Sequence, residues 1–564
     1  MIKRQSEGLG LLALLVLLVT SASCRQETAP LEESPSAETR QPNILLIVAD
    51  DLGYSDIGPF GGEIATPTLD RLAKEGLRLS NFHVLPSCSP TRSVLLSGTD
   101  NHVAGIGTMG ELLTPEMAGQ PGYEGYLNFQ VASLPEVLKA GGYHTYMAGK
   151  WHLGHEEDTT PHARGFDETF ALLPGGGSHW SDMKPLSPPQ TMVYNRNGKK
   201  VESLPDDFYS TTYYTDELLK FIDQNKRDGK PFFAYLSYTA PHDPLHAPKT
   251  YIDKYKGKYD GGWDVLSEQR QQSLKELGIV HRDAKSFPPL ASVKAWNEMH
   301  TEERAAASRD MEVYAAMIDY MDEQIARVFD YLKEMGEYDN TMIIFLSDNG
   351  ANGHLPTAYP GQTEEYLDSF DNSLENRGQI NSFIETGPGW TQASMAPSRL
   401  FKAFTAEGGI RAPLMVKLPG AMSNAGKINH SFFHVRDIMP TIIDVAGVEF
   451  TQEISGRSVV AMQGNSVLDV LSGNVSIPYS GADQVGYELF GMKAFFDGDW
   501  KILWMPPPFG PGDWQLYNLR KDPGEIVDLS DQHSERLVKM IAQWEHYKEE
   551  NGVLNISYAL SGNE

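Results

Sequence analysis

The sequence predicts an α/β protein. A large domain is built on a central, mostly parallel sheet flanked by helices, and a small C-terminal domain carries an antiparallel sheet and a helix. Three observations point there. Apolar runs such as Ile44 to Ala49, Phe232 to Leu236 and Met342 to Leu346 lack polar alternation, as expected for strands buried on both faces. Helical patterns separate these runs, which is the alternation of βα units around a parallel sheet. From Gly486 onward the pattern changes to short alternating runs, broken at Asp497-Gly498-Asp499 and Pro511-Gly512-Asp513, which reads as an antiparallel sheet. A chain of 564 residues, 40% hydrophobic, has the length and apolar content for both domains. Their boundary is placed near residue 465, giving domains of residues 43–465 and 466–564, because Asp437 to Thr441 still reads as a helix start in the large one.

In chain order, the first element stands outside the fold. Lys3 and Arg4 precede the apolar run Leu9 to Val19, then Ser21-Ala22-Ser23 and Cys24. Residues 1–24 read as a secretory signal peptide, with an apolar run too short to span a bilayer. Small residues directly before a cysteine resemble the bacterial lipoprotein signal, although Ser21 stands where that signal usually has Leu. On this pattern Cys24 becomes the lipidated first residue, a membrane tether for a protein exported to the periplasm or cell envelope; plain cleavage and a soluble secreted protein is the alternative. Residues 25–42, rich in Glu, Pro, Ser and Thr, read as a flexible tether. Two cysteines cannot build a disulfide framework, and a net charge of -28 argues against nucleic acid as a partner.

Four of the predicted strands run into reactive side chains. Ala49 is followed by Asp50-Asp51, Leu346 by Ser347-Asp348-Asn349, Met147 by Lys150-Trp151-His152, and Leu236 by Pro241-His242. In open α/β sheets the ligand crevice lies beyond the carboxyl ends of the strands, so these four ends predict one shared site. A lone Asp after a strand is more often a turn residue; the coincidence across four ends carries the reading. Asp50, Asp51, Asp348 and Asn349 offer oxygen ligands, which suit a hard cation, Ca²⁺ or Mg²⁺, rather than zinc. Lys150, Arg92, Lys402 and the two histidines supply donors for a tetrahedral anion.

Cys88 fits that set badly as a thiol, because a soft thiolate is a poor partner for an oxygen-ligated cation. Its local sequence places it at a helix N-terminus, with Ser89 as N-cap, Pro90 at the first helical position and Gly98 past the end. A cysteine phosphatase would use a low-pKa thiol there, but three residues including a proline between Cys88 and Arg92 do not make its phosphate loop.

Cys88-Ser89-Pro90-Thr91-Arg92 resembles the sulfatase motif Cys-x-Pro-x-Arg, whose cysteine is oxidised to formylglycine by a maturation enzyme. Ala49-Asp50-Asp51-Leu52-Gly53-Tyr54, Gly149 to Gly154, Ala240-Pro241-His242, Ser347 to Gly350, and Lys402 ahead of Glu407-Gly408-Gly409-Ile410-Arg411 resemble further sulfatase segments in the family's order. The resemblance runs from about residue 42 to the end. It is closest to the calcium-dependent bacterial arylsulfatases of the alkaline phosphatase-like superfamily, including Phe490 to Lys493 and Trp514 to Glu525.

That resemblance implies a formylglycine hydrate at residue 88, held with Ca²⁺ by Asp50, Asp51, Asp348 and Asn349, attacking the sulfur of a sulfate ester. It further implies that Arg92 steadies residue 88, that Lys150, Lys402 and His242 bind sulfate, that His242 with Lys402 protonates the leaving group, and that His152 takes a proton from residue 88. The substrate is a small-molecule or carbohydrate sulfate ester. Two other readings stand beside it: a phosphodiester or phosphonate monoester hydrolase of the same superfamily, and a non-catalytic lipoprotein that binds sulfated glycans. His155 and His162 match no family site. Gly175-Gly176-Gly177-Ser178-His179-Trp180 reads equally as a substrate-pocket loop or a flexible turn, residues 413–417 as a core strand, Glu303 to Leu332 as a solvated helix, and Glu535 to Glu550 as a final helix.

Overall fold

In the computed structural model, which describes residues 40–474 and 484–556, a ten-stranded sheet forms the centre. The signal peptide, Cys24 and most of the tether lie outside the described residues. In chain order the strands are β1 Asn43–Ala49, β2 Leu77–His83, β3 His144–Lys150, β4 Glu168–Leu172, β5 Tyr194–Arg196, β6 Lys199–Val201, β7 Phe232–Ser237, β8 Thr341–Ser347, β9 Arg411–Lys417 and β10 Ile428–His434. They lie in the order β10-β2-β9-β8-β1-β7-β3-β4-β5-β6. The block β8-β1-β7-β3-β4 is parallel throughout. Every residue of β1, β7 and β8 is buried, which is why their sequences are apolar without alternation.

Register brings the strand ends to one level. Val48 pairs with Ser237, Ala49 with Ser347, and Gly149 with Ser237. Strand β9 runs antiparallel to both β8 and β2, with Arg411 opposite His83. Its start therefore lies at the edge where the others end, and the segment from Lys402 into β9 returns to that edge. The close approach of β3 and β7 requires glycine at 149: its φ is +123°, and a Cβ there would lie 1.7 Å from the Ser237 carbonyl oxygen.

The helix Thr301–Glu334 covers the amphipathic segment Glu303 to Leu332. It buries one face, including Met311, Val313, Met317 and Met321, and Tyr314 Oη reaches the Asp51 carbonyl at 3.2 Å. The helix Ile438–Ala446 starts after Asp437, as the sequence suggested. A short ribbon, β11 Glu453–Ile454 with β12 Arg457–Ser458, then leads to the antiparallel sheet β13 Gln484–Leu489, β14 Met492–Asp497, β15 Trp500–Trp504 and β16 Trp514–Asn518. The final helix, Ser534–Asn551, packs Met540 and Trp544 onto Phe495, Ile502 and Leu516 of that sheet. The described residues from Gln41 onward form one compact unit. A buried ion-pair chain joins the two sheets: Lys501 of β15 lies 2.9 Å from Glu407 and 2.7 Å from Glu525, and Glu407 also meets His83 at 2.9 Å.

Candidate active site

Cys88 opens the helix Cys88–Ser97, directly after β2. The N-cap is Ser87 rather than Ser89, and Pro90 occupies the third helical position. Proline is tolerated there because the first-turn N–H groups have no intrahelical partner. Gly98 takes the left-handed conformation at the helix end, as expected. The whole first turn is buried, so Cys88 and Arg92 point into the protein.

Cys88 Sγ lies 3.3 Å from Asp50 Oδ1 and 3.9 Å from Asp51 Oδ1. Arg92 bonds Asp348 Oδ2 through Nε at 2.9 Å and Nη2 at 2.7 Å, and donates to the Lys150 carbonyl at 3.0 Å. Lys150 Nζ lies 2.7 Å from Asp50 Oδ2, and Lys402 Nζ lies 2.8 Å from Asp51 Oδ2. Asn349 Nδ2 donates to Asp51 Oδ1 at 2.6 Å, which leaves its own buried Oδ1 without a hydrogen-bond partner among the described residues. His242 Nε2 sits 3.2 Å from Lys402 Nζ and 3.4 Å from Asp51 Oδ2, while its Nδ1 donates to the Asp243 carbonyl at 2.6 Å. One ligand atom from each of Asp50, Asp51, Cys88 and His242 lies within 4.8 Å of the others.

His152 lies in the same cavity as Cys88, His242 and Lys402, with its Nε2 turned to Glu111 at 3.1 Å. Nine of the ten predicted site residues thus join a single contact network, and the tenth shares its cavity. Asp51 and His152 both hold positive φ, 63° and 56°, a conformation costly for non-glycine residues and frequent at functional sites.

The electrostatics are those of buried, closely paired charge. Burial alone would raise the Asp50 carboxyl, but Lys150, His242 and Arg92 outweigh it and hold Asp50 well below the usual range. Burial, with Asp50 beside it, pushes Asp348 up to about 6 despite Arg92. Burial and the adjacent Lys402 push His242 down to about 3. With Nδ1 donating to a carbonyl, neutral His242 offers its Nε2 lone pair to Lys402, and the proton of this pair rests on lysine. Burial also raises the Cys88 thiol well above its normal value, with Asp348 and Asp50 adding to it and Lys150 and Lys402 opposing. Cys88 is therefore a neutral thiol and not a thiolate nucleophile.

A cation fits this donor set. Asn349 Oδ1 is an orphaned buried acceptor, and three carboxylates crowd around it closely enough to need two lysines and an arginine for balance. A hard cation would satisfy both conditions. The sulfur is the one atom that fits poorly.

Further side chains join the site. Ser237 Oγ contacts the Arg92 guanidinium at 2.5 Å. Asp243, beside His242, is held by Asn352 and Tyr359. His179 Nε2 donates to the His242 carbonyl at 3.0 Å, and Gly175 lines the cavity, so the loop 175–180 serves the pocket rather than turning freely in solvent. His155 and His162 are exposed. The cavity measures about 90 Å³, and Met109, Leu112, Leu186, Pro360 and Phe490 give it an apolar wall. Phe490 comes from the tight β13–β14 turn, so the C-terminal sheet contributes to the pocket.

Comparison with known proteins agrees with this geometry. Residues 42–448 match the family model described as Sulfatase, and residues 399–549 match that of the N-sulphoglucosamine sulphohydrolase C-terminal region. An uncharacterized sulfatase of Schizosaccharomyces pombe is 46% identical over 533 residues, covering 92% of this chain and 95% of that protein. An arylsulfatase of Klebsiella aerogenes is 41% identical over 435 residues, covering 77% and 92%. The crystal structure of Ps i-CgsB in complex with k-i-k-neocarrahexaose superposes with a TM-score of 0.64 at 24% identity, covering 92% and 94%, a likeness of fold.

Proposed function

The chain belongs to the sulfatase family and is a sulfuric ester hydrolase; on that premise we propose that it acts through a formylglycine made from Cys88 by a maturation enzyme, beside a Ca²⁺ ion. The observation that carries this reading is the Cys88 environment: a neutral buried thiol pressed against two carboxylates of an oxygen-rich set, where an oxygen species belongs. Asp50, Asp51, Asp348, Asn349 Oδ1 and an oxygen of residue 88 would hold the cation. As a hydrated aldehyde beside that cation, residue 88 supplies an activated oxygen nucleophile for sulfur and a way to release sulfate without a second attack at sulfur.

The remaining work falls to the chain's own side chains. Arg92, fixed by Asp348 and the Lys150 carbonyl, steadies the oxygen at residue 88 at the helix N-terminus. Lys150 and Lys402 turn from carboxylates to the sulfate oxygens as charge develops there. The Lys402–His242 pair carries the proton for the departing oxygen: Lys402 holds it at rest, and His242 Nε2 accepts and relays it once the anionic ester is bound. His152 takes the proton that residue 88 releases.

The apolar wall of Met109, Leu112, Leu186 and Phe490 favours an ester whose leaving group is a single apolar ring, an aryl sulfate, over a polyanionic chain. The test is a side-by-side measurement of kcat/KM on aryl sulfate, sulfated sugars, aryl phosphonate and phosphodiester. The aryl sulfate should lead, and a lead for the phosphonate would move the protein to the neighbouring chemistry. Export with a lipid at Cys24 is proposed from the leader sequence. Membrane fractionation of the full chain against Cys24→Ala tests it, with release of the variant supporting the tether and identical partitioning opposing it.

A further inference from the structure

Glu111 lies in the short 3-10 turn Gly110–Leu112, which no sequence motif marks, yet it makes the carboxylate contact of a histidine in the pocket. His152 Nε2 lies 3.1 Å from Glu111 Oε1 and 3.3 Å from Oε2, while His152 Nδ1 is buried with no hydrogen-bond partner among the described residues. The histidine side chain is 5% exposed and that of Glu111 24%. Loop backbone also packs against the ring: a Cβ on Gly175 would lie 2.7 Å from His152 Cε1. The backbone of His152 is held at φ 56°.

The charged groups acting on this ring are Glu111, Lys150 and Arg92. Lys150 is engaged by Asp50, and Arg92 by Asp348. Glu111 alone among them can accept a proton donated by the ring. A carboxylate on one imidazole nitrogen fixes the tautomer, leaving the lone pair on the other nitrogen and stabilising the imidazolium when it forms. His152 pushes the Glu111 carboxyl down to about 2 against the effect of burial, so Glu111 is ionised throughout the working range.

We infer that Glu111 is a positioning residue that fixes His152 as the Nε2–H tautomer, so that His152 works as a base through Nδ1. This rests on the formylglycine reading for its chemical purpose. When sulfate departs, the C–O bond to it breaks with its electron pair, a residue-88 O–H pair closes the carbonyl, and the freed proton passes to Nδ1. The resulting imidazolium keeps its Nε2–H bond to Glu111 until solvent takes the proton. Without the carboxylate the proton distributes over both nitrogens, and the base is partly misassigned.

The test uses ¹⁵N-histidine-labelled full-length protein with Cys88 still unmodified, so that it is independent of turnover. Nitrogen shifts of His152 should show a protonated Nε2 and a bare Nδ1 at neutral pH, and Glu111→Gln should disturb that pattern. In matured enzyme, Glu111→Gln should lower kcat on an activated aryl sulfate about 10- to 100-fold, the range for groups that orient site residues, with KM falling alongside it and kcat/KM little changed. It should also give a burst of one phenol per site before slow turnover, because only the release step is affected. A protonated Nδ1 in wild type overturns the inference, as does a variant with unchanged tautomer and kcat. The wild-type spectrum decides the tautomer even where the variant fails to fold. A correct tautomer in an enzyme that turns over fully with residue 88 still a thiol would sink the formylglycine reading and leave the Glu111 assignment standing.

Discussion

Asn349 Nδ2 donates to Asp51 Oδ1 at 2.6 Å, and the opposite oxygen of the same amide is buried without a hydrogen-bond partner among the described residues. One end of Asn349 is thereby fixed by a carboxylate, and the other is presented as an acceptor among carboxylates. A buried amide oxygen rarely stays unsatisfied, and here the missing partner has the character of a cation.

Asn349→Ala should therefore weaken divalent-cation binding at least about tenfold, comparable to the smaller losses seen when partners of metal ligands are removed. Elemental analysis after dialysis against a chelator gradient reads the effect. Activity should fall in step with metal content, whereas full occupancy with unchanged turnover would remove Asn349 from the ligand set.

Arg92→Ala should destabilise the metal-stripped protein by about 3–5 kcal/mol. It leaves Asp348 buried without the guanidinium that meets it at 2.7 and 2.9 Å. Urea unfolding of the stripped wild type and variant is the measurement. A loss below about 1 kcal/mol, the level of an exposed pair, would mean that Asp348 is compensated by another group.

His242→Ala should spare substrates with good leaving groups and penalise poor ones, where loss of proton transfer typically costs about 100- to 10,000-fold. The structure adds that Lys402 holds the proton 3.2 Å away, so Lys402→Ala should steepen the same dependence. Slopes of log kcat/KM against leaving-group pKa settle it. If both variants run parallel to wild type, the proton comes from elsewhere.

A pH effect on stability follows from His102, which links the helix Cys88–Ser97 region to the C-terminal sheet. Its Nδ1 meets Asp100 at 3.0 Å and its Nε2 meets Glu488 at 3.2 Å. Burial would lower this imidazole, but the hydrogen bonds to Asp100 and Glu488 outweigh it and raise it from 6.5 to about 9. The folded state thus holds a proton that the unfolded state releases earlier. The stabilisation, about 3 kcal/mol, is complete below pH 6.5 and is lost as pH rises through about 9. Urea midpoints between pH 6 and 10 should fall for wild type and stay flatter for His102→Gln. Equal pH slopes would show that His102 is not the group responsible.

What could be read from the sequence was what chemistry concentrates at strand ends. β1 and β8 announce themselves by apolar runs, and Asp50, Asp51, Asp348 and Asn349 follow within a few residues, so the edge of a parallel sheet gathers them. Lys402 follows no predicted strand end, because β9 has to run backwards beside β8 to deliver it. The misplaced cap at Ser89 has a simple cause: proline is compatible with any first-turn position, so Pro90 does not fix the start. Glu111, Ser237, Asp243 and Phe490 stayed hidden because single residues of common type on loops or hairpin turns carry no periodic signal. Their roles depend on contacts far apart in the chain, such as Phe490 reaching the cavity around Cys88.

The central claim is that residue 88 does not remain a cysteine in the working enzyme. The direct measurement is the mass of the proteolytic peptide containing residue 88, taken from protein whose turnover of aryl sulfate has been quantified on the same sample. The peptide should be lighter by the difference between a thiol and an aldehyde side chain, in a fraction that tracks specific activity. A fully active sample whose peptide carries only the unmodified thiol would contradict it.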